Sequence, residues 1–398
     1  MQEIVDRLTA DDRGAEIART LVYPYLNHAA TMYESGYATK DDIDASMRFG
    51  CGYPIGPLAL VDALGVATVV EGLRAQHART GDPLHEPAPV LVKLAESSET
   101  FETAAADAGA AAAPQKHHPV AKVGVVGTGT MASGIVEVFA KAGHDVVFVG
   151  RSDDKVAAVQ ARIEKNLDRA IAKGRLTEDE KSDVIGRLTA ATDRHALDDV
   201  DIVVEAIAED LDVKLELFRD LDRITKPGAI LATTTSSLSI ASCAEATSRP
   251  QDVVGMHFFN PAPVMKLVEV VSADSTSPEV AETVKALCLD VGKHPVSCGD
   301  RAGFIVNALL FPYLNDAVRL HEAGEASLEE IDTALKETKL PMGPFELLDV
   351  VGNDVSLAIQ QTLVSTFGHE GWTPAPTLER LVAEGKLGRK TGEGFHTY

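Results

Sequence analysis

The sequence predicts an α/β domain with a doubly wound, mostly parallel sheet, flanked by two all-α domains that are related by duplication. Between residues 120 and 300, short apolar runs alternate with longer amphipathic segments, the pattern of strands joined by crossover helices. The segments on either side have helical periodicity and little β-branched alternation. These two segments also repeat one order of proline, glycine and aspartate residues, which indicates the duplication.

The alternation of apolar runs with amphipathic segments predicts the strands and helices of the central domain. Strands are expected at residues 123–126, 146–149, 201–204, 229–232 and 253–256, with helices at about 131–142, 153–173 and 211–223. Thr177 and Glu180 have the spacing of a capping box, and Ser277 before Pro278 has the pattern of a helix start. The central domain is therefore expected to carry helices on both faces of its sheet.

The duplication rests on matched turn and cap residues. Tyr23-Pro-Tyr-Leu-Asn27 corresponds to Phe311-Pro-Tyr-Leu-Asn315, and Pro54-Ile-Gly-Pro57 corresponds to Pro341-Met-Gly-Pro344. Further matches in the same order pair Ile43-Asp44 with Ile331-Asp332, Asp62 with Asp349, and Gly65 with Gly352. Chance similarity between amphipathic helices would not preserve prolines and glycines in this order, so we interpret the two segments as copies of one domain.

Four segments result from these observations. Residues 1–100 form a degenerate helical copy, and residues 101–119 form a linker rich in alanine and proline, whose alanines are compatible with some helix. Residues 120–300 form the α/β domain, and residues 301–398 form the second helical domain. A chain of 398 residues has room for this many domains.

Composition excludes several classes of function. The formal net charge of −23 argues against a nucleic-acid partner, which needs a basic face for phosphate contacts. Four scattered cysteines have neither disulfide-framework nor metal-ligand spacing, so we expect a cytoplasmic protein without a metal site. The start of the chain does not resemble a signal peptide, and no apolar run approaches the ~20 residues of a membrane span, so no membrane association is expected.

A glycine-rich turn opens the α/β domain. After the first expected strand, Gly127-x-Gly129-x-x-Ala132 has the spacing of the dinucleotide fingerprint in its alanine-ended form. Gly127 would allow the tight turn, and Gly129 would let a pyrophosphate approach the backbone at the start of a helix. The order strand, turn, helix and second strand makes a structural glycine turn the weaker reading and indicates Rossmann-type dinucleotide binding.

The end of the second expected strand bears on which dinucleotide is bound. An NAD site usually has a carboxylate there for the adenosine ribose, whereas this chain has Gly150-Arg151-Ser152. A guanidinium and a hydroxyl could bind a 2′-phosphate, so NADP(H) is favoured and NAD(H) is the alternative. Asp153 and Asp154 follow at once, but at that position acidic residues favour the start of the next helix.

A histidine and a glutamate on neighbouring apolar runs form a candidate acid/base pair. The stretch from Val254 to Val271 predicts two strands joined by a turn that contains two prolines, with His257 on the first strand and Glu269 on the second. Pairing of the two runs would bring the carboxylate to the imidazole. By itself, the stretch favours a core histidine bonded to a carbonyl, so the catalytic interpretation depends on the rest of the chain.

Residues 120–398 resemble the L-3-hydroxyacyl-CoA dehydrogenase family, particularly its short-chain 3-hydroxybutyryl-CoA dehydrogenases. Besides the fingerprint and the His257 stretch, several motifs carry this resemblance: Val204-Glu-Ala-Ile-Ala-Glu209, Thr235-Ser-Ser-Leu238, Gly255-Met-His-Phe-Phe-Asn-Pro261, Gly303-Phe-Ile-Val-Asn307 and Gly388-Arg-Lys-Thr-Gly-Glu-Gly-Phe395. The resemblance implies an oxidoreductase that interconverts (S)-3-hydroxyacyl-CoA and 3-oxoacyl-CoA by hydride transfer with a nicotinamide cofactor.

The resemblance also implies the catalytic residues. His257 would be the acid/base, and Glu269 would orient the imidazole and stabilise its protonated form. Ser236 would bond the reacting oxygen or the histidine, and Asn307 would help to hold the acyl group. Asn260 would support the site near the histidine. Ser236 as a strand-end cap and Asn307 as a helix-start amide are the structural alternatives.

Binding residues are implied in the same way. Ala206, Glu209 and Lys214 correspond to positions near the nicotinamide ribose, and Arg169 and Lys173 correspond to basic residues that contact the phosphates of CoA. The i,i+4 spacing of Arg169 and Lys173 is also compatible with an ordinary solvated helix face.

Two rival functions stay open at this stage. A dehydrogenase of a free hydroxy acid would need no CoA site, and a non-catalytic acyl-CoA or dinucleotide-binding protein could keep the fold. The first helical copy has Arg19 where the second has Asn307, so a second active site is not expected there. We expect this copy to pack on the C-terminal domain as a built-in partner, which leaves the chain a monomer or a dimer through other surfaces.

Overall fold

The computed structural model of the chain describes residues 1–106 and 113–398. It divides into two compact units, one formed by Met1–Ala111 with Ala302–Tyr398 and the other by Ala112–Arg301. Part of the expected linker, residues 107–112, lies outside the described residues. Within the described ranges, no helix combines the length and the apolar character that a membrane span requires.

The first helical segment contains seven α-helices. They are α1 (Gln2–Thr9), α2 (Arg13–Glu34), α3 (Lys40–Gly50), α4 (Pro57–Leu64), α5 (Val66–Thr80), α6 (Pro89–Ser97) and α7 (Phe101–Ala106). The last of them covers the start of the expected linker. Phe101 is fully buried and meets Tyr33 edge to face at 5.2 Å between ring centroids, so α7 is packed onto the helical unit.

The α/β unit contains one sheet of eight strands. They are β1 (Lys122–Val126), β2 (Asp145–Val149), β3 (Leu188–Ala191), β4 (Ile202–Glu205), β5 (Ile230–Thr233), β6 (Val253–Phe258), β7 (Leu267–Ser272) and β8 (His294–Gly299). The spatial order is 3-2-1-4-5-6-7-8, and every neighbouring pair is parallel except β6 with β7. This confirms the predicted doubly wound, mostly parallel sheet, with the five expected strands in place.

The helices of this unit are α8 (Thr130–Lys141), α9 (Asp153–Ala172), α10 (Glu178–Gly186), α11 (Leu211–Ile224), α12 (Ile240–Glu245) and α13 (Pro278–Asp290). The capping box expected at Thr177 and Glu180 opens α10, and the Ser277 hydroxyl caps α13. The strands at the centre of the sheet are buried along their whole length, which explains why they read as continuous apolar runs.

The sequence reading had not included β3 or β8, which are the two edge strands. β3 has the sequence Leu-Thr-Ala-Ala and is only half buried, so it lacks an apolar run. β8 begins with His294-Pro295 and alternates partly buried with buried residues. Edge strands pair on one side only, so burial imposes a weaker pattern on their sequences.

The second helical segment contains α14 (Val306–Glu322), α15 (Leu328–Glu337), α16 (Pro344–Val351), α17 (Asn353–Phe367) and α18 (Pro376–Ala383). Its buried polar contacts repeat those of the first segment. Asn27 accepts a hydrogen bond from the Ala88 amide at 2.8 Å, and Asn315 accepts one from the Ala375 amide at 2.9 Å. The same side-chain amides satisfy backbone groups of the following loop in both copies.

The matched aspartates of the two copies also accept equivalent hydrogen bonds from backbone amides. Asp62 accepts from the amides of Phe101 and Glu102, and Asp349 accepts from those of Phe395 and His396, all at 2.8–2.9 Å. In each copy, therefore, one aspartate carboxylate binds the backbone at the end of the segment. This aspartate lies on α4 in the first copy and on α16 in the second. These shared contacts account for the matched positions in the sequence.

The two copies pack against each other within the helical unit. α2 of the first copy contacts α14 and α15 of the second. The matched residues Tyr25 and Tyr313 meet with ring centroids 5.9 Å apart, and Arg7 pairs with Glu337 at 2.8 Å. Contact between the same position of both copies is what an approximate two-fold arrangement produces.

Candidate active site

A cleft of about 1450 Å³ opens in the α/β unit at the carboxyl ends of the central strands. The loop from Gly127 to Met131 forms part of it, together with Arg151, residues 192–195 and residues 206–208. β1 lies between β2 and β4 in the sheet, and β4 begins the series that continues with β5 on the other side. The cleft therefore lies where the strand order reverses, which is the usual ligand position in such sheets.

The fingerprint loop has the backbone geometry of a phosphate cradle. Gly127 has φ of +137°, and a Cβ at this position would lie 2.3 Å from the carbonyl oxygen of Ala206. A Cβ at Gly129 would meet no atom within 4 Å, so the space above this residue is open. Ala132 is fully buried in the first turns of α8, where it packs under the loop. These features fit the pyrophosphate of a dinucleotide.

The end of β2 is shaped by close packing. A Cβ on Gly150 would lie 2.5 Å from Cγ2 of Thr128 and 2.7 Å from Cγ1 of Val156, so these two side chains occupy the space that a carboxylate side chain would need. Arg151 lines the cleft and is exposed, and Ser152 is the exposed N-cap residue of α9. The Gly150 amide donates to the Ala191 carbonyl at 3.1 Å. The loop after β3 consequently runs beside Arg151.

The loop after β3 contributes further residues to the cleft. The sequence did not predict them because it did not predict β3. Arg194 lines the cleft and pairs with Asp220 of α11, and Asp193 accepts from the amide of His195 at 2.9 Å. A second guanidinium and an acidic residue therefore stand near the adenosine end of the expected cofactor site. In the sequence these residues appear as an Asp-Arg-His run that follows no predicted strand.

The antiparallel pairing of β6 with β7 brings the histidine to the glutamate. His257 and Glu269 are direct cross-strand partners, and Nδ1 of His257 lies 2.6 Å from Oε2 of Glu269. His257 is 7% exposed and Glu269 is 0% exposed. The Phe259 ring lies 4.6 Å from the imidazole between centroids, and Asn260 is exposed just beyond the strand. A buried carboxylate thus holds one ring nitrogen and sets the orientation of the other.

A second buried charge cluster lies at the carboxyl ends of β4 and β5. Nζ of Lys214 lies 2.7 and 2.8 Å from the two carboxylate oxygens of Glu205, and 3.3 Å from Glu209. Glu209 in turn accepts from the Ser236 amide at 2.9 Å. Glu205 was missed in the sequence, although an ionisable residue that ends an entirely apolar strand was a signal for it.

The pKa of Glu209 is set by two opposed effects. Burial raises it, while the Lys214 ammonium and hydrogen bonds from the Thr235 hydroxyl and the Ser236 amide lower it. The contacts that stabilise the charged form outweigh the effect of burial, so the pKa of Glu209 lies below its usual value and the group is a carboxylate at neutral pH.

The remaining expected residues lie on α9 and α14. Arg169 is in the last turn of α9 and Lys173 is its C-cap residue, and both side chains are exposed. Asn307 is in the first turn of α14 in the helical unit, where it is buried. The α/β unit by itself therefore contains the glycine-rich cleft, the His257–Glu269 pair and the loop of Ser236.

A glycine-rich loop at the switch point of a doubly wound sheet, with a buried histidine–glutamate pair in the same unit, is typical of a nicotinamide-dependent oxidoreductase. The family model described as "3-hydroxyacyl-CoA dehydrogenase, NAD binding domain" matches residues 122–301. The model of the C-terminal domain of the same family matches twice, at residues 17–108 and 303–398, which supports the duplication. The chain belongs to the 3-hydroxyacyl-CoA dehydrogenase family.

Relatives agree with this assignment. A 3-hydroxybutyryl-CoA dehydrogenase of Mycobacterium tuberculosis is 45% identical over 282 residues, which are 70% of this chain and 99% of the relative. Human mitochondrial hydroxyacyl-coenzyme A dehydrogenase is 43% identical over 316 residues, 75% of this chain and 98% of the relative. The crystal structure of (S)-3-hydroxybutyryl-CoA dehydrogenase from Ralstonia eutropha has a TM-score of 0.69 and 40% identity, covering 70% of this chain and 99% of that one.

The two fingerprint glycines are expected to fail in different ways when replaced by alanine. Gly127→Ala should lower the melting temperature and abolish dinucleotide binding, because the new Cβ meets backbone at 2.3 Å and the φ is positive. Gly129→Ala should fold with an unchanged melting temperature, yet weaken binding roughly tenfold or more, because its methyl group occupies the space for the pyrophosphate.

Thermal unfolding and calorimetric titration with the dinucleotide check both expectations. Gly186→Ala is the matched control, since a Cβ there also meets nothing within 4 Å and the residue ends α10 outside the cleft. Equal loss of stability in the Gly127 and Gly129 variants would contradict the distinction.

Proposed function

We propose that this chain interconverts (S)-3-hydroxyacyl-CoA and 3-oxoacyl-CoA, with short substrates such as 3-hydroxybutyryl-CoA and acetoacetyl-CoA. The observation that carries the proposal is the buried contact of 2.6 Å between His257 and Glu269, in the same unit as the dinucleotide cradle. The names of the relatives support the acyl-CoA substrate and its short chain. A non-catalytic binding protein would not require a buried carboxylate behind an imidazole. A dehydrogenase of a free hydroxy acid would use the same pair, so the choice of an acyl-CoA substrate rests on the relatives.

The proposed chemistry uses the two ring nitrogens of His257 differently. Because Glu269 holds Nδ1, we assign proton exchange with the substrate to Nε2. During oxidation, Nε2 takes the proton of the 3-hydroxyl group while the bound nicotinamide supplies the acceptor for the hydride from C3. In reduction, the imidazolium returns a proton to the same oxygen.

Glu269 stabilises the imidazolium that forms in the oxidative direction. Its burial keeps water from screening the charge pair, so the Coulomb interaction is stronger than it would be at the surface. It also fixes the rotation of the ring through the short contact to Nδ1. Ser236 is proposed to bond the reacting oxygen or the histidine, Asn307 to hold the acyl group, and Asn260 to support the site.

The CoA moiety is proposed to contact the end of α9. Arg169 and Lys173 are exposed and separated by one helical turn, so both can reach an anionic group on that face. In a chain of net charge −23, such a local pair of cations can attract phosphates that the rest of the surface repels. Ala206 and Glu209 are proposed to lie beside the nicotinamide ribose. Lys214 was expected there as well, but its side chain is 1% exposed and pairs with Glu205 and Glu209.

The substrate proposal is tested by initial rates with a matched set of substrates. Purified protein should reduce acetoacetyl-CoA much faster than free acetoacetate, with oxidation of the reduced nicotinamide followed by its absorbance. Equal rates with the free acid would favour a hydroxy-acid dehydrogenase. Binding of acetoacetyl-CoA without any turnover would favour the non-catalytic function.

Replacement of the acid/base pair is expected to separate chemistry from binding. His257→Gln should abolish measurable turnover while cofactor affinity stays largely intact, because the side chain that exchanges the proton is lost. Glu269→Gln should lower kcat by roughly 10²-fold or more, because the imidazolium loses its carboxylate. Steady-state kinetics and calorimetry measure the two properties. Near-normal kcat in either variant would make His257 a core histidine.

The proposed cofactor preference is for NADP(H). Gly150 leaves no carboxylate to repel a 2′-phosphate, and Arg151 lines the cleft at this point. Arg194 from the neighbouring loop is a second guanidinium, although its contact with Asp220 offsets part of its charge. If NADP(H) is preferred, reduction of the 3-oxoacyl-CoA is the favoured direction in a cell that keeps this cofactor pool reduced.

Arg151→Ala is expected to affect the two cofactors unequally. Its kcat/KM should fall roughly tenfold or more with NADPH and change little with NADH, because a charge-assisted contact to the 2′-phosphate is worth about 1.5–3 kcal/mol. Titration with 2′,5′-ADP and 5′-ADP gives the same comparison without turnover. Arg175→Ala, an exposed arginine away from the cleft, is the control. Equal or better use of NADH by the unaltered protein would overturn the preference.

The division into four segments and the role of the extra copy complete the proposal. We propose that residues 1–100 act as a built-in partner for residues 301–398, so that the face of α14 and α15 covered by α2 is closed to a second chain. Contacts such as Tyr25 with Tyr313 and Arg7 with Glu337 support this role. The full chain is then a monomer, or a dimer through other surfaces.

Removal of residues 1–115 should expose this apolar face. The truncated chain is expected to dimerise or to lose solubility, because α14 presents buried residues such as Leu310, Tyr313 and Ala317 along its length. Light scattering after gel filtration measures the mass of both proteins. A soluble, fully active truncated chain with the oligomeric state of the full chain would contradict the built-in partner.

A further inference from the structure

Two ions that the proposed hydride chemistry does not use are removed from solvent at the ends of β4 and β5. The side chain of Glu205 is 0% exposed and that of Lys214 is 1% exposed. Burial of an ion pair brings little net stability, because loss of hydration offsets much of the attraction. The contacts of this ion pair indicate a role other than stability.

Each carboxylate oxygen of Glu205 accepts two hydrogen bonds. Its Oε1 atom accepts from the Ile207 amide at 2.7 Å and from Lys214 at 2.7 Å. Its Oε2 atom accepts from the Thr233 hydroxyl at 2.6 Å and from Lys214 at 2.8 Å. Glu205 is thus fixed by β5 and by the backbone after its own strand, and it presents no oxygen for proton transfer.

The ammonium group of Lys214 is engaged on every side. An ammonium has three donors, and its contacts here are the two oxygens of Glu205 and Oε2 of Glu209 at 3.3 Å. The other oxygen of Glu209 faces the loop after β5, where it accepts from the Ser236 amide at 2.9 Å and from the Thr235 hydroxyl. A chain of contacts therefore leads from the sheet to Ser236.

We propose that Glu205 and Lys214 are positioning residues that act through Glu209 to hold the loop of Ser236 in one orientation for the reaction. This rests on the proposed function, in which Ser236 bonds the reacting oxygen or His257. It also changes the role expected for Lys214, which acts on Glu209 and does not itself contact the cofactor. The rigid anchor is Glu205, because it ends a buried strand of the sheet.

Charge balance explains why the pair must act together. Without Lys214, the buried carboxylate of Glu205 would face the partly exposed carboxylate of Glu209, and Glu209 would lose the cation that lowers its pKa. Without the charge of Glu205, Lys214 would swing toward Glu209 alone and draw it away from the loop. Either change leaves Ser236 bonded to a carboxylate that is no longer fixed.

The test compares single variants with a charge-balanced double variant of the full chain. Glu205→Gln/Lys214→Met removes both ions at once, so the melting temperature should stay within a few degrees of the unaltered protein. At saturating cofactor and acetoacetyl-CoA, its kcat should fall about tenfold or more, because a small displacement of a reacting group is costly. Affinity for the nicotinamide dinucleotide, measured by calorimetry, should change less than about threefold.

Two further readouts separate positioning from a structural role. Glu209→Gln should lower kcat to a similar extent, and adding it to the double variant should cause no further loss, because all three residues act in one chain of contacts. In the double variant, the acid limb of the kcat profile should move to higher pH, because Glu209 lacks its cation. Lys122→Met, in a partly exposed pair with Asp199 at the start of β1, is the matched control.

The possible outcomes are distinct. A double variant with the kcat of the unaltered protein overturns the proposal, as does additive loss with Glu209→Gln. Loss of cofactor affinity with kcat retained at saturation overturns it in favour of direct contact between Lys214 and the cofactor. If the double variant does not fold, Glu209→Gln alone is used, since this residue is 38% exposed. A lower kcat at saturating cofactor supports the proposal, and an unchanged kcat overturns it. Absence of turnover in the unaltered protein rejects the proposed function instead.

Discussion

The pairing of β6 with β7 is the constraint on which the candidate site depends. Glu269 is completely buried, and a buried carboxylate without a partner is unstable by several kcal/mol. Side chains alternate along a strand, so a shift of one residue would turn Glu269 to the opposite face of the sheet from His257. The observed register places His257 opposite Glu269, which gives the buried carboxylate a partner and fixes one ring nitrogen of the imidazole.

The same rule of paired burial organises the rest of the α/β unit. Glu205 ends β4 inside the protein, and Lys214 neutralises it from α11. Parallel strands end at one edge of the sheet, so this pair, the fingerprint loop and the Ser236 loop are brought to a common side. The candidate binding and reacting residues thus lie where buried strands end in loops.

In the helical unit, the two copies have kept their framework but differ at the position of Asn307. Asp62 and Asp349 make equivalent backbone contacts, as do Asn27 and Asn315. At the position that corresponds to Asn307, however, Arg19 donates to the carbonyl oxygens of Leu8 and Ala10 and anchors α1. The first copy therefore uses this position for its own packing, which agrees with a partner role and not with a second site.

Sequence by itself determined the parts of this protein that local chemistry dictates. Buried central strands, the glycine turn, the capped helices and the repeated Asp and Asn residues each have a pattern readable within a few residues, and His257 and Glu269 could be paired because a short turn joins their strands. The short edge strands β3 and β8 left no such pattern, and Phe101 was read as linker although it is a buried anchor. Only the tertiary structure decided that Arg194 lies beside the end of β2, that Glu205, Lys214 and Glu209 form one chain of contacts, and that α2 covers α14. These contacts join residues that are distant along the chain, and their existence depends on strand order and burial, which no local pattern records.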